Sequence, residues 1–388
     1  MNMAEQIYDS NGNLVDAAVT KEATDKKCPQ CDGIMAFDPA SGGLKCPFCG
    51  HVEKVALAAA IDEETNEVVY SAAELRFEDA EKTGNCDWGV ATKTIICKSC
   101  GGEAVYDALQ ISGTCPYCGS RQVTEANDEN TLAPGGVCPF KVTKQDAGVR
   151  FKKWLGSKWY APKEAKQSAQ AEAFNGLYLP YWTFDADTVS NYKGEYGIDR
   201  EVTDSDGDSH TETDWYKTSG VYSEFIDDQL IMGTNRHNRE VLSMIEPFNT
   251  ADNVIYKPEY ISGYATERYA VGLKDGWEVA KKSITSRLKN NITKKILKEK
   301  AADHVANLKF STQYNDIRYK YLLLPVWTSA FTYKGKIYEF MVNGQTGKVG
   351  GKYPISAGKV ILTIAIILVI LFVLFCCFGG GELFSESY

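Results

Sequence analysis

Histidine is scarce in this chain: His51, His210, His237 and His304 are the four in 388 residues. They are scattered, without the spacing of a metal-ligand set or a catalytic triad. No Gly-x4-Gly-Lys-Ser/Thr phosphate loop occurs, and "GQTGKVGGK" has its glycines and lysines at the wrong spacing and suits a hairpin turn. No nucleophile elbow occurs either. No residue is therefore assigned a catalytic or cofactor-binding role, and the chain reads as a non-enzyme with no evident small-molecule substrate. Positive charge is also in short supply, since 42 Lys+Arg against 51 Asp+Glu leave a net charge of -9. Such a chain has no overall attraction to polyanions, which disfavours nucleic acid as a partner. The opening "MNMAEQIYDSNGN" lacks the apolar core of a signal peptide, so the bulk of the protein is expected in the cytosol.

What the chain does have is cysteine, twelve in all, eight of them in four Cys-x-x-Cys pairs. In a reducing compartment that spacing suits a metal knuckle better than disulfides between distant segments. Aligning "CPQCDGIMAFDPASGGLKCPFCG" with "CKSCGGEAVYDALQISGTCPYCG" gives two units of equal length, each Cys-x2-Cys-x14-Cys-x2-Cys. The expected ligands are Cys28, Cys31, Cys46 and Cys49 in the first, and Cys97, Cys100, Cys115 and Cys118 in the second. Four thiolates match the tetrahedral preference of Zn2+, and fourteen residues make a short β-hairpin that brings the second pair back to the first. This is the zinc-ribbon pattern, with two structural Zn2+ sites expected. With all four positions filled by cysteine, no position is left open for a catalytic water. The Cys-Pro-x-Cys-Gly knuckle also resembles the iron-binding rubredoxins, but the separation here is shorter; thiol redox chemistry is disfavoured because the pairs are themselves paired. Cys86 and Cys138 stand alone and read as small apolar residues. Neither ribbon is basic: residues 21–60 carry five basic and five acidic side chains, and residues 97–123 two of each.

Beyond the ribbons, "EANDENTLAPGG" is polar and turn-rich and reads as a linker. Helix signals follow: Thr143 with Asp146 as a capping pair, and Pro162 at a second helix start with Gly176 as its stop. "GLYLPYWTFDADTVSNYKGEYG" reads as aromatic strand and turn, and "YLLLPVWTSAFTYKGKIYEFMVNGQTGKVGG" repeats its Leu-Pro-x-Trp-Thr and Tyr-Lys-Gly pieces, which suggests an internal duplication. The second copy should form a hairpin around "NGQTG". Asp204, Asp206 and Asp208 have the spacing that opens a calcium loop, but Gly207 comes early and Trp215 holds the closing position, so a solvated hairpin loop is expected. "KKSITSRLKNNITKKILKEK" carries eight basic side chains and one acid, with Ile284, Leu288, Ile292 and Ile296 four apart. Such a helix packs its apolar stripe on a sheet and leaves the lysines in water; the sharper alternative is that they face an anionic membrane leaflet.

From Val360 to Phe378 the sequence "VILTIAIILVILFVLFCCF" has no charged residue. As a helix it would span roughly 28 Å, close to the ~30 Å hydrocarbon core. Lys348, Lys352 and Lys359 precede it while Glu382 and Glu386 follow, so the positive-inside rule places the large N-terminal part in the cytoplasm. The expected localisation is a single-pass cell-membrane protein.

The resulting expectation is an α+β fold with antiparallel strands. It comprises a flexible segment (1–24), ribbon 1 (25–55), an inter-ribbon segment (56–92), ribbon 2 (93–124), a linker (125–137), an α+β body with an internal duplication (138–354), a transmembrane tail anchor (355–378) and a short extracytoplasmic tail (379–388). Two four-cysteine ribbons, "YLPYWTF", "LLPVWTS", the "VNGQTGKVGG" hairpin and a C-terminal span together resemble a bacterial family of membrane-anchored double zinc-ribbon proteins. That family is labelled TFIIB-type zinc-ribbon proteins, or relatives of primosomal protein N′, the replication restart helicase. The helicase label lacks its nucleotide loop here. The resemblance implies an adaptor that recruits a cytosolic or membrane protein, of the SPFH-domain or phage-shock type, to the membrane in envelope stress. The alternative function is a membrane-tethered nucleic-acid-binding zinc-ribbon protein.

Overall fold

The computed structural model describes residues 7–8, 14–15, 27–61, 67–80, 92–98, 103–107, 123–126, 132–168, 174–235, 237, 239–334 and 336–375. In chain order the strands are β1 (Ile7–Tyr8), β2 (Leu14–Val15), β3 (Ala36–Asp38), β4 (Gly43–Lys45), β5 (Val52–Lys54), β6 (Ala60–Ile61), β7 (Val68–Val69), β8 (Leu75–Arg76), β9 (Thr92–Cys97), β10 (Glu103–Asp107), β11 (Val123–Ala126) and β12 (Gly136–Val137). There follow α1 (Lys144–Ser157), α2 (Lys163–Ser168), β13 (Asn175–Thr203), β14 (Ser209–Met232), α3 (Arg239–Ile245), β15 (Val254–Ile255), α4 (Pro258–Ile261), β16 (Ala265–Thr266), α5 (Leu273–Lys300), β17 (His304–Tyr333), β18 (Lys336–Asn343), β19 (Val349–Gly351) and α6 (Ala357–Leu374). The architecture is mixed α and β, with antiparallel and mixed sheets and one apolar helix near the C-terminus. Short β1 and β2 pair within the segment expected to be flexible.

Three very long strands dominate. β13, β14 and β17 run for 29, 24 and 30 residues, against the five or six of an ordinary strand. They stay in register by absorbing bulges at Phe184/Ala186, Asp185/Asp187 and Lys193/Glu195. Asp228, Asp316 and Asn307 take the positive-φ positions beside these bulges, a conformation that Asp and Asn tolerate better than other non-glycine residues. The stretch from Gly176 to Gly197, expected as strand and turn, is strand throughout: "NYKGEYG" continues β13, because Tyr192 to Gly194 pair with Gly220, Ser219 and Thr218 of β14. The same Tyr-Lys-Gly at Tyr333 and Lys334 does turn, into β18. The first hairpin turns later, at residues 204–208, where the backbone closes on itself (Asp204 N–H to Asp208 O, 2.9 Å) and Asp204, Asp206 and Asp208 are exposed, as a solvated loop requires.

β13 and β17 pair antiparallel about Leu179 and Leu324, the first residues of the two Leu-Pro-x-Trp-Thr motifs. Matching bonds surround this centre. Gly233 N–H donates to Pro180 O (2.8 Å), Val271 N–H donates to Gly233 O (2.9 Å), and Trp182 Nε1 donates to Val271 O (2.9 Å). On the other side Gly344 N–H donates to Pro325 O (2.8 Å), Val142 N–H to Gly344 O (2.9 Å), and Trp327 Nε1 to Val142 O (2.9 Å). Both glycines are forced by close approach; a Cβ on Gly344 would lie 2.7 Å from the Phe140 ring and from Pro325. Outside them β16 adds in parallel to β13 and β12 adds in parallel to β17. Residues 132–137, expected as linker, therefore belong in part to the sheet, with Ala133 and Val137 buried.

Helices seal this sheet. Thr143 caps α1 as expected, accepting from Asp146 N–H at 3.1 Å. α5 lays Ile284, Leu288, Ile292 and Ile296 on β13, β14 and β17, all four buried, while its lysines point away from the core. Asn343 holds the "NGQTG" turn, its Oδ1 accepting from Gln345 and Thr346 N–H (2.8 and 2.9 Å), before β19 returns along β18. Replacing Leu288, fully buried in the middle of the α5 stripe, by alanine should destabilise the fold by about 2–5 kcal/mol in chemical denaturation. A loss below about 1 kcal/mol would show that α5 does not seal the sheet.

Candidate metal centre

The first four-cysteine unit folds into a compact ribbon, with β3, β4 and β5 forming one antiparallel sheet. Each Cys-x-x-Cys bends back on itself: Asp32 N–H donates to Cys28 O (2.8 Å) and Gly50 N–H to Cys46 O (3.0 Å). Asp32 and Gly50, next after each pair, adopt positive φ of 58° and 77°. The turns bring Cys28, Cys31, Cys46 and Cys49 together with their Sγ atoms all within 4.8 Å of one another. Cys28 faces Cys49, and Cys31 faces Cys46, each at 3.4 Å. This is far longer than the ~2.05 Å of a disulfide and close to the edge of a tetrahedron around a metal at ~2.3 Å.

The electrostatics favour a cation. Backbone N–H groups of Cys49 and Phe48 hold the Cys46 thiol down to about 6. Gly33 N–H pulls Cys31 the same way, yet the neighbouring thiols and burial push it up to about 12. One thiolate is thus stabilised at the expense of its neighbours, and a divalent ion is what lets all four ionise together. The donor set and its spacing are compatible with a zinc site.

The ribbon is seated on the body. Phe37 N–H donates to Ser262 O (2.9 Å), Ser262 Oγ to Met35 O (2.9 Å), and Tyr264 OH to Phe37 O (3.1 Å), with Phe37 edge-on to Tyr260 at 5.6 Å. Three apolar side chains of the ribbon stay in solvent: Phe48 is 79% exposed, with Ile34 and Val52 also exposed.

Of the second unit, Cys97 ends β9 and is buried, whereas Cys100, Cys115 and Cys118 lie outside the described residues, as does Cys86. Its backbone shares one feature with the first: Lys27 bridges Ile34 around Cys28-x-x-Cys31, and Ile96 pairs Glu103 around Cys97-x-x-Cys100. The β11-β9-β10 sheet joins the body where Val105 of β10 meets Thr266 of β16. Cys138 is buried, and burial pushes its thiol up to about 12, as suits an inert apolar position.

Two polar groupings escaped the sequence because their members are far apart in the chain. His237 Nε2 lies 2.8 Å from Glu267 Oε2, and Thr234 Oγ1 donates to the other oxygen of this buried carboxylate. Asp185, Asp227 and Asp228 also gather at the β13–β14 bulge, but an ammonium already sits there: Lys320 Nζ is 2.9 Å from Asp228 Oδ1 and 3.0 Å from Glu74 Oε1. Burial raises Asp185 to about 6 although Asp228 N–H, at 2.6 Å, pulls the other way; its second oxygen has no hydrogen-bond partner among the described residues.

No protein-family model matches the chain. A Bacillus subtilis (strain 168) protein, described as the uncharacterized protein YdjG, is 27% identical over 337 residues, covering 86% of this chain and 91% of that protein. No solved structure matches.

Serine at the two buried ligands, Cys28 and Cys46, should remove one equivalent of bound metal per chain, measured by plasma mass spectrometry on the purified protein. Unchanged metal content would exclude this group as a ligand set. Asp185 gives a pH prediction. Its folded-state value of about 6 exceeds the ordinary 3.8, so its stabilising contribution is complete below about pH 4 and is lost as pH rises through about 6. Asp185→Asn keeps an acceptor for Asp228 N–H, and should flatten that fall and raise stability at pH 7 by about 1–2 kcal/mol. Urea denaturation across this pH range checks it; a destabilised variant with the slope intact would refute it.

Proposed function

We propose that this protein is a non-enzymatic, tail-anchored zinc-ribbon adaptor that holds a recognition surface at the cytoplasmic face of a membrane. The observation that carries this reading is the pairing of a body-mounted four-cysteine ribbon with an apolar helix fixed to the same body. α6 has mean hydropathy 2.9, and none of it is buried against the rest of the chain. A soluble protein would hide such a helix. Its first turn is tied down, with Ser356 N–H donating to Tyr160 O (2.9 Å) and Lys359 Nζ to Trp159 O and Ala161 O (2.9 and 2.8 Å). Body and ribbon would then move with the anchor as one piece.

In this reading both cysteine units hold Zn2+, and the shared pairing around each first knuckle supports the second. The matching Trp182 and Trp327 bonds, with α1 and α5 each following its bonded valine, support an internal duplication whose copies exchange contacts across the β13–β17 centre. The family resemblance suggests SPFH-domain or phage-shock-type partners. The open ribbon face with Phe48, Ile34 and Val52 is the natural contact surface, since exposed aromatics anchor interfaces.

The test compares the full chain with Phe48→Asp after solubilisation and nuclease treatment, by quantitative affinity purification. Phe48 is exposed, so the variant should keep its metal and remain in the membrane fraction while losing its protein partner. Equal recovery of partners would refute the ribbon face as recognition surface. Recovery of nucleic acid alone from untreated samples would favour a membrane-tethered nucleic-acid binder, and a full chain extracted from membranes by carbonate would refute the anchor.

A further inference from the structure

A cleft of about 550 Å3 opens beside the first turn of α6, among Lys163, Glu164, Tyr333, Lys334, Ser356 and Lys359. The three lysines come from three separate places: the start of α2, the β17–β18 turn, and the last charged position before the apolar run. Glu164 is the one acid among these residues, so the cleft keeps an excess of two positive charges. Lys359 is fixed by its two carbonyl bonds and lies 5.7 Å from the Trp159 ring centroid. Lys163 and Lys334 are exposed and have no carboxylate partner among the described residues. The first turn of α6 adds backbone N–H groups that have no intrahelical acceptor, and Ser356, at its cap position, lines the same cleft.

Beside it lies an apolar marker. Trp159 is 61% exposed, and its carbonyl is one of the two that Lys359 bonds. An exposed tryptophan at the first turn of a spanning helix sits at headgroup level. The basic α5 is placed differently. Its C-terminal end meets the start of β17, which is 30 residues long and reaches the cleft only at its other end, roughly 95 Å away along the strand.

We propose that this cleft binds the phosphate of an anionic phospholipid headgroup, with Lys163 and Lys334 as its free cations, Lys359 as the fixed one, and Trp159 packed on the adjoining glycerol and acyl region. The shared chemistry is a phosphate anion, and the source committed to is the bilayer. This rests on the reading of α6 as a membrane span.

The test uses the full-length protein in vesicles in which either brominated phosphatidylglycerol or brominated phosphatidylcholine is titrated over the same range of mole fraction in an otherwise identical bilayer. The Trp159 contribution to quenching is isolated by difference from Trp159→Phe. Phosphatidylglycerol should quench Trp159 at about thirtyfold lower mole fraction, the enrichment expected of two lysines near a surface at about 1 kcal/mol each. Lys163→Ala with Lys334→Ala should abolish the preference, and the two Lys→Arg changes should keep it. Equal quenching by both lipids in protein that floats with the vesicles overturns the headgroup site alone. Protein that fails to float overturns the membrane span, and the site with it. Binding of labelled inorganic phosphate by the protein in phosphatidylcholine vesicles, together with equal quenching by both brominated lipids, assigns the cleft to a soluble anion instead.

Discussion

The antiparallel pairing of β13 with β17 about Leu179 and Leu324 is the constraint on which the rest of the molecule depends. The two strands are 29 and 30 residues long, and a ladder of this length lets one sheet carry attachments at separate places. Near its centre both tryptophans reach across to a valine carbonyl that precedes a helix, so strand pairing also fixes where α1 and α5 begin. A buried carbonyl left without a donor costs about 1–3 kcal/mol, which makes these two indoles as much a part of the sheet as its own ladder bonds.

The centre also organises the periphery. β16 rides on β13, and the chain just before it, from Tyr260 to Tyr264, receives the first ribbon, while β16 itself receives β10 of the second cysteine unit. A single short stretch of the body thus meets both cysteine units. In the ribbon the buried core is Met35, Phe37, Leu44, Cys28 and Cys46, a small one to which a metal on the four thiols would add folding energy. At the opposite end of β17 the strand turns into β18, and the α1–α2 loop takes hold of α6. Where a lysine is buried it is because charge surrounds it: burial alone would lower Lys320, but Asp228 and Glu74 hold it protonated. The acidic bulge thus already holds a cationic side chain, a different condition from the four thiols, which have no cationic side chain among their hydrogen-bond partners in the described residues.

Much of this was legible in the residues. The Cys-x2-Cys-x14-Cys-x2-Cys spacing specifies a knuckle, a hairpin and a second knuckle, all of which are local; the first unit closes as that spacing requires. The four-residue rhythm of Ile284, Leu288, Ile292 and Ile296 marks one helix face, and those side chains are the buried ones. Thr143 with Asp146 marks a cap, and the uncharged run from Val360 marks an unburied apolar helix. Tyr-Lys-Gly shows where local reading ends: the same three residues continue a strand at Tyr192 and make a turn at Tyr333, because the first is clamped between β14 and β17 and the second has run past its partner.

The groupings that could not be read are those whose members are distant in sequence. Lys320 with Glu74 and Asp228, His237 with Glu267, the seat of the ribbon on Ser262, and the meeting of Lys163, Lys334 and Lys359 all depend on which strands pair and where the bulges fall. By itself, then, the sequence determined the closing of the first four-cysteine unit, the helix faces and the apolar helix, since each is encoded within one or two turns or a single hairpin. The tertiary structure alone decided what surrounds them, because a long-range β register places side chains together by geometry that no local pattern records.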